Sequence, residues 1–233
     1  MKQNAKKLVL APSLISLDDC NMVGLTSSLE KCGFDTLHVD IIDGYFSPDM
    51  PLGVTSVVRL APKTGLKFDV HLMVNDNHFF VDEMLKANPH QMCFHLETEP
   101  HPDMLLSHIR RHGVRAGVAL KPSTPLCQLD YILERCDFIM IMLINPGYAH
   151  IPGETKVPYA ARKVAELKKM IDRRGLNTEI EIDGRVSLED VEAYAKLGVT
   201  HFVCGSSCFQ KNQTMEENAK RILAFKENLE KQL

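Results

Sequence analysis

The sequence predicts a (β/α)8 barrel. Eight short apolar runs, each typical of a β-strand, alternate with helix-like segments along the 233 residues. The runs are almost continuously apolar, as expected for parallel strands that are covered on both faces. An open doubly wound sheet usually needs fewer repeats and often has a glycine fingerprint after its first strand, but here that turn reads APSLISLDD. Because no linker or low-complexity tract interrupts the pattern, residues 1–233 are predicted to form one domain.

The first half of the chain contains four of the predicted units. LVLAPSL leads into a helix that opens at Asp18 and closes near Gly33, since glycine commonly ends a helix. TLHVDIID is followed by a proline-containing loop and a short helix around Val54 to Leu60. KFDVHLMV precedes the helix FFVDEMLKA, and QMCFHLE precedes a helix that ends near Gly113.

The second half repeats the alternation. VRAGVALK precedes a helix starting after Pro125, and DFIMIMLI precedes a long loop and the charged helix YAARKVAELKKMIDRRG. EIEIDGRV precedes SLEDVEAYAKLG, in which Ser187 and Asp190 predict a variant of the capping box. HFVCGSS precedes the last helix, EENAKRILAFKENLEKQ.

Composition narrows the class of protein. The net charge of −3 and the pI of about 6.4 argue against a nucleic-acid partner, which requires a concentrated basic face. No stretch is long and apolar enough to span a membrane. The seven cysteines are odd in number and include no CxxC, which is typical of reduced thiols in a cytosolic protein. The apolar part of MKQNAKKLVLAPSL is too short for a signal peptide, so we predict a cytoplasmic location.

Four polar residues interrupt the apolar strands at or near their ends: His38, Asp40, His71 and Asp183. Imidazole and carboxylate groups are costly to bury alone, so they seldom end apolar strands without a partner. In a (β/α)8 barrel the ends of the strands converge at the face that carries the active site. The four residues therefore predict a divalent metal site, in which the carboxylates also serve as acid and base.

Eight segments of the chain form a recognisable series: APSLIS, HVDIIDG, FDVHLMV, FHLE, AGVALKPSTPL, MLINPG, EIDG and CGSSCF. Their order and spacing are more specific than any one of them. Through these segments the chain resembles the ribulose-phosphate 3-epimerase family over nearly its full length. The resemblance implies a (β/α)8 barrel and an isomerase of carbohydrate metabolism. It further implies a metal-dependent 3-epimerase of a ketose phosphate, with ribulose 5-phosphate to xylulose 5-phosphate of the pentose phosphate pathway as the default reaction.

The resemblance also implies a mechanism. His38, Asp40, His71 and Asp183 match the family's metal ligands, and the metal stabilises the enediolate that forms when the C3 proton leaves. Asp40 and Asp183 lie on opposite faces of the substrate, where one removes the proton and the other returns one. Inversion needs two bases, because a single base tends to return the proton to the face it left. The ligand set suits zinc, iron(II), manganese or cobalt.

Eight residues are predicted to contact the substrate: Ser13, Met73, Met142, Gly147, Gly184, Arg185, Gly205 and Ser206, all of which match the family's pocket except Arg185. The methionines offer a soft apolar wall, although ordinary core methionines give the same signal. The serine after the first strand contacts the substrate or caps a turn. The last four of the eight fall in the loops after strands seven and eight, where barrels often bind phosphate.

Three further polar residues lie at strand ends without a predicted role in the chemistry. Asp43 follows Asp40 at a spacing that places it on another face, so it is expected to stabilise a turn. His95 is expected to support or pack against the site, and Lys121 to be solvated or to face an anion.

The chain departs from the family pattern at three places. DIIDG has Ile42 where the family has a methionine, and NPGYAHIPGETKVP replaces the glycine-rich NPGFGGQ loop with Ala149 and His150. DGRV has Arg185 where the family commonly has a glycine. We hypothesise that Arg185, with His150 or Lys156, replaces the lost backbone donors to the phosphate, or else that Arg185 pairs outward with an acidic helix residue. A reshaped lid is one interpretation of the altered loop.

Several functions stay open at this point. The substrate is ribulose 5-phosphate or another sugar phosphate such as allulose 6-phosphate, because only the distal pocket differs. A non-catalytic sugar-phosphate binding protein is the alternative from another class. An orotidine-phosphate type of decarboxylase is disfavoured because Asp40-Ile41-Ile42-Asp43 lacks the lysine proton donor. The family also implies a homo-oligomer, either a dimer or a hexamer.

Overall fold

Eight parallel strands form a barrel in the computed structural model, which describes residues 7–16 and 19–233. The strands are β1 (Val9–Pro12), β2 (Thr36–Ile42), β3 (Lys67–Met73), β4 (Gln91–His95), β5 (Arg115–Leu120), β6 (Phe138–Met142), β7 (Glu179–Asp183) and β8 (His201–Cys204). Their order is β1-β8-β7-β6-β5-β4-β3-β2. A parallel bridge between Ser13, which directly follows β1, and His38 in β2 joins the two ends of the sheet. The predicted (β/α)8 barrel is confirmed.

Seven α-helices lie among the described residues. They are α1 (Met22–Cys32), α2 (Val54–Leu60), α3 (Asn77–Leu85), α4 (Pro102–Arg111), α5 (Ala160–Arg173), α6 (Leu188–Lys196) and α7 (Met215–Glu230). The predicted capping box at the start of α6 is confirmed: the Ser187 hydroxyl accepts from the Asp190 amide at 3.3 Å, and the Asp190 carboxylate accepts from the Ser187 amide at 2.8 Å. None of the described helices is long and apolar enough to cross a bilayer.

Two predicted helix starts need comment. The segment after Pro125 forms two short 3-10 turns, Leu126–Leu129 and Leu133–Arg135, so the prediction of a regular helix there is wrong. Backbone bonds in this segment join residues three apart, as between the Asp130 amide and the Cys127 carbonyl at 3.1 Å, and the Asp130 carbonyl between the two turns accepts from Arg174 at 2.7 Å. Asp18, the predicted start of the first helix, lies outside the described residues.

The barrel interior has an apolar half and a polar half. The outer core, between the strands and helices, is mainly apolar. A separate apolar cluster fills part of the interior and consists of Cys93, Ala119, Phe138, Met140, Met142 and Val203. Polar side chains occupy the rest and are almost fully buried: His38, Asp40, Asp69, His71, Gln91, His95 and Glu181. Since buried polar groups require partners, this half must form a connected network.

Candidate active site and metal centre

Strand register brings the four predicted ligands together. His38 and Asp40 are two apart on β2, so their side chains share the inner face. Asp40 is the direct cross-strand partner of His71 on β3. Asp183 ends β7 and pairs with Met142 on β6. All four therefore face the interior near the carboxyl ends of their strands, where barrels carry their active sites.

The donor atoms of the four residues surround one point. Oδ1 of Asp40 lies 3.2 Å from Nε2 of His38 and 3.2 Å from Nδ1 of His71. Oδ2 of Asp183 lies 3.6 Å from the same nitrogen of His71. One donor atom from each residue falls within 4.8 Å of the other three. Two imidazole nitrogens and two carboxylate oxygens in this arrangement suit a divalent transition-metal ion.

The two carboxylates of the centre differ in their affinity for a proton. Burial raises the pKa of Asp40, but the charge of His38 and hydrogen bonds from His38 and His71 outweigh it and lower the pKa below its usual range. Burial and the charge of Asp40 raise the pKa of Asp183. Neighbouring groups whose pKa values are pushed apart are typical of acid–base sites.

Nδ1 of His38, the ring nitrogen that faces away from the centre, contacts residues that were not predicted from the sequence. Its Nδ1 lies 2.8 Å from Oδ2 of Asp69, and the Gln91 amide donates to both Asp69 at 2.9 Å and Glu181 at 3.0 Å. Burial lowers the pKa of His38, but the charges of Asp40 and Asp69 raise it well above its ordinary value. A usable signal existed, because Asp69 lies two residues before His71 and therefore shares its inward face.

His95 supports His71, as predicted from the sequence. The two Nε2 atoms lie 3.0 Å apart, and the His95 ring packs on Phe46 with ring centroids 4.7 Å apart. Burial lowers the pKa of His95 to about 4, so the ring is neutral near pH 7. Burial raises the pKa of Glu97, but the hydrogen bond from His95 and other donors bring it down to about 2.

A cavity opens above the centre and is lined by Asp40 and Asp183. The two histidine ligands are fully buried and are not part of its lining. The hydroxyl of Ser13 donates to Oδ2 of Asp40 at 3.1 Å. All eight predicted substrate-contacting residues line this cavity: Ser13, Met73, Met142, Gly147, Gly184, Arg185, Gly205 and Ser206.

Three polar residues of the cavity wall were not predicted: Ser16, Asp49 and Ser207. They belong to the loops after β1, β2 and β8. Such loops line the active-site face of every (β/α)8 barrel, so their position after a strand was the available signal. Ile42, which replaces the family's methionine, also lines the cavity.

Two cavity glycines occupy positions that a side chain would disturb. Gly147 has a φ of +80°, and a Cβ there would lie 1.9 Å from the hydroxyl oxygen of Ser47. Gly184 has a φ of +110°, and a Cβ there would lie 2.9 Å from the amide nitrogen of Ile144. The absence of a side chain thus lets the Ser47 side chain pack against Gly147 and the Ile144 backbone pack against Gly184.

Arg185 connects the two altered loops. Its φ of +54° is unusual for a residue other than glycine, which shows that the backbone keeps the conformation favoured by the glycine of the family pattern. Its Nη2 donates to the carbonyl of Ala149 at 2.8 Å and approaches that of Ile151 at 3.4 Å. The side chain therefore holds the loop after β6, and this contact replaces the outward pairing with an acidic residue that was one of two expectations.

The other residues named with the altered loops are placed differently. His150 lines the cavity. Nζ of Lys156 forms an ion pair with Asp190 at 2.5 Å, so this lysine is directed toward the start of α6. Of the two, only His150 is positioned to contact a ligand in the cavity.

Of two further strand-end residues, Asp43 has the role expected of it, whereas half-buried Lys121 lies over an aromatic ring and not in open solvent or against an anion. Oδ1 of Asp43 accepts from the amides of Tyr45 and Phe46 at 2.8 and 2.7 Å, and Oδ2 accepts from the amide of Asn75 at 2.7 Å. Asp43 thus stabilises the turn after β2. Nζ of Lys121 lies 4.2 Å from the centroid of the Phe46 ring, a cation–π contact outside the metal centre.

The fold and the site together define a class of protein: a (β/α)8 barrel with a cluster of two histidines and two aspartates, able to hold a metal ion, at the carboxyl ends of its strands. The sequence profile of the ribulose-phosphate 3 epimerase family matches residues 9–209. The chain belongs to the ribulose-phosphate 3-epimerase family.

Curated relatives support this assignment. The chain is 35% identical over 207 residues to a ribulose-phosphate 3-epimerase of Synechocystis sp., covering 88% of this chain and 89% of that one. It is 31% identical over 208 residues to the ribulose-phosphate 3-epimerase of Escherichia coli K12, covering 88% and 91%. Among solved structures, a thiamine phosphate pyrophosphorylase from Pyrococcus furiosus has a TM-score of 0.64 at 11% identity, covering 97% of this chain and 99% of that one. This last similarity concerns the fold alone.

Proposed function

We propose that the protein is an isomerase that inverts C3 of a ketose phosphate, with ribulose 5-phosphate and xylulose 5-phosphate as its default substrate pair. The observation that carries this proposal is the placement of Asp40 and Asp183 on the wall of one cavity, with His38 and His71 buried behind them. The names of the curated relatives support the choice of substrate.

Asp40 and Asp183 are the proposed acid and base. Each directs one oxygen toward the histidines and has the other held by a single donor, the hydroxyl of Ser13 at 3.1 Å or the amide of Gly184 at 2.6 Å. One carboxylate removes the C3 proton, and the other delivers a proton to the opposite face. A bound divalent ion supplies Lewis-acid stabilisation of the negative charge that develops on the substrate oxygens.

The rim of the cavity is the proposed site for the phosphate. Gly184, Gly205 and Ser206 lie in the turns after β7 and β8, a common phosphate position in barrels. Arg185 and His150 add basic groups at the same end. Met73, Met142 and Gly147 line the cavity nearer β3 and β6, and they are the proposed contacts for the sugar chain.

Three finer properties belong to the proposal. The ion is zinc, iron(II), manganese or cobalt, since each accepts mixed imidazole and carboxylate ligands. The protein is a homo-oligomer, a dimer or hexamer. It acts in the cytoplasm, which agrees with the free thiols of Cys32, Cys93, Cys127, Cys136, Cys204 and Cys208.

Exchange of the C3 proton with deuterated water tests the proposal. Metal-free and metal-loaded protein are incubated with a panel of ketose phosphates that includes ribulose 5-phosphate and allulose 6-phosphate. We expect metal-dependent exchange and epimerisation of ribulose 5-phosphate. Faster turnover of allulose 6-phosphate would assign the protein to a related epimerase, a result that His150 in the cavity wall makes worth testing. Absence of exchange with every substrate, despite bound metal, would make it a binding protein.

A further inference from the structure

We propose that His95 and Glu97 are positioning residues that keep the proton of His71 on Nε2, so that the lone pair lies on Nδ1, the nitrogen that faces the metal. The inference rests on the proposed function, because it requires a metal at the four-residue centre. Neither residue is part of that centre: His95 ends β4, and Glu97 lies in the 3-10 turn that follows it.

The two ring nitrogens of His71 have different neighbours. Its Nδ1 faces the centre, 3.2 Å from Oδ1 of Asp40 and 3.6 Å from Oδ2 of Asp183. Its Nε2 faces the other way, 3.0 Å from Nε2 of His95. A neutral imidazole has one N–H and one lone pair, and only the lone pair binds a metal. For His71 to be a ligand, its proton must therefore be on Nε2, and Nε2 of His95 must accept it.

Glu97 makes His95 an acceptor at that position. If Nε2 of His95 has the lone pair, its Nδ1 carries the proton, and Nδ1 lies 3.1 Å from Oε2 of Glu97. An ionised carboxylate only accepts hydrogen bonds, so the direction of this contact is defined. The other oxygen of Glu97 accepts from the amide of Lys121 at 2.7 Å and from the hydroxyl of Thr124. His95 is fully buried, so no solvent competes for its ring nitrogens.

The two histidine ligands are thus oriented by different means. Nδ1 of His38 contacts the carboxylate of Asp69 directly at 2.8 Å, which leaves Nε2 for the metal. His71 directs its other nitrogen, Nδ1, toward the centre. The carboxylate that orients it belongs to Glu97 and acts through the imidazole ring of His95. Carboxylate partners of metal-bound histidines orient the ring and increase its basicity, and their loss typically weakens metal binding about 10- to 100-fold.

The variant Glu97→Gln reverses the hydrogen-bond order without changing the shape of the side chain. The amide of Lys121 can only donate, so the glutamine oxygen must face it, and the glutamine NH2 must then face Nδ1 of His95. Nδ1 of His95 becomes the acceptor, and its proton moves to Nε2. His71 would then hold its proton on the nitrogen that faces the metal.

Titration of the metal-free protein with Zn²⁺ against a competing chelator measures the consequence. We expect Glu97→Gln to bind Zn²⁺ about 10- to 100-fold more weakly than the wild type. The matched control is Glu99→Gln, because Glu99 is at least as buried as Glu97, lies two residues further on, and accepts from the amide of His101 rather than from His95. The control is expected to bind Zn²⁺ as the wild type does.

Ring-nitrogen NMR of the wild-type protein provides a second, independent measurement. In the Zn²⁺ form we expect His95 to be protonated on Nδ1 alone and His71 on Nε2 alone. Protonation of His95 on Nε2, or a Zn²⁺ affinity of Glu97→Gln equal to that of the wild type, would overturn the proposed role of His95 and Glu97. Neither result would contradict the metal site itself. A lower thermal stability of Glu97→Gln with unchanged affinity would assign Glu97 a merely structural role. A wild-type protein that binds no Zn²⁺ would overturn both the proposed function and the proposed role of His95 and Glu97.

Discussion

The two ends of the cavity are built differently. At the floor, Asp40 and His71 are cross-strand partners, and strand pairing alone determines their separation. At the rim, Arg185 and His150 lie in loops that depart from the family pattern, and one side chain ties these loops together through a backbone carbonyl. Asp40 and His71 at the floor are buried, whereas Arg185 and His150 at the rim are exposed. The proposed function therefore assigns the chemistry and the choice of substrate to separate parts of the molecule.

Removal of the metal is the most severe test of the floor. We expect a chelator to abolish epimerisation, because the charge that develops on the substrate oxygens loses its Lewis acid. We also expect a lower melting temperature, since a ligand at 100 times its Kd stabilises the folded state by about 2.7 kcal/mol. Activity and calorimetry should both recover when the ion is restored. Full activity in the chelated protein would contradict the role assigned to the floor.

Replacing one proposed proton carrier should have the next largest effect. For Asp183→Asn we expect kcat to fall about 10³- to 10⁴-fold, because an amide cannot exchange the proton and also binds a metal less well. The rate of C3 exchange in deuterated water measures this loss. Asp172→Asn, on the exposed face of α5, is the control and should retain wild-type activity. A loss of less than tenfold would remove Asp183 from the acid–base pair.

Loss of the rim arginine should alter binding rather than chemistry. For Arg185→Ala we expect KM for ribulose 5-phosphate to rise about tenfold with kcat nearly unchanged, equivalent to about 1.4 kcal/mol of lost binding. The reason is the combined loss of a basic group and of the contact with Ala149. An unchanged KM would show that Arg185 neither binds the phosphate nor shapes its site.

Glycine at the same position separates the side chain from the backbone. Arg185→Gly removes the guanidinium but tolerates the φ of +54° without strain. We expect its KM to match that of Arg185→Ala, while its free energy of unfolding is about 1 kcal/mol higher than that of the alanine variant. Urea unfolding of the two variants measures the difference. Equal stability would mean that the left-handed backbone at this position is not strained.

Restoring the family's methionine in the wall should have the smallest effect. Ile42→Met nearly conserves volume, and such exchanges usually cost less than about 1.5 kcal/mol. We expect KM to change less than about threefold, as measured with ribulose 5-phosphate. A larger change in KM would mean that residues of the cavity wall, and not the rim alone, determine which substrate is bound.

Sequence reasoning succeeded where the signal was local. Apolar runs and the spacing of His38 and Asp40 identified the strands and the four polar residues that the structure brings together, because alternation along a strand decides which residues share a face. It failed for the segment after Pro125, where two 3-10 turns replace the expected helix. Between them the Asp130 carbonyl bonds to Arg174, 44 positions further along the chain, a contact that no local pattern reveals.

The sequence alone was enough to predict the barrel, the four-residue centre and the family. These follow from periodicity and from motifs whose residues are close together in the chain. The tertiary structure decided which groups orient that centre and which hold its rim. Gln91 reaches Glu181 across 90 positions, and Arg185 reaches Ala149 across 36, and neither contact has a local pattern that would reveal it. Such contacts depend on strand register and loop path, which only the closed barrel defines.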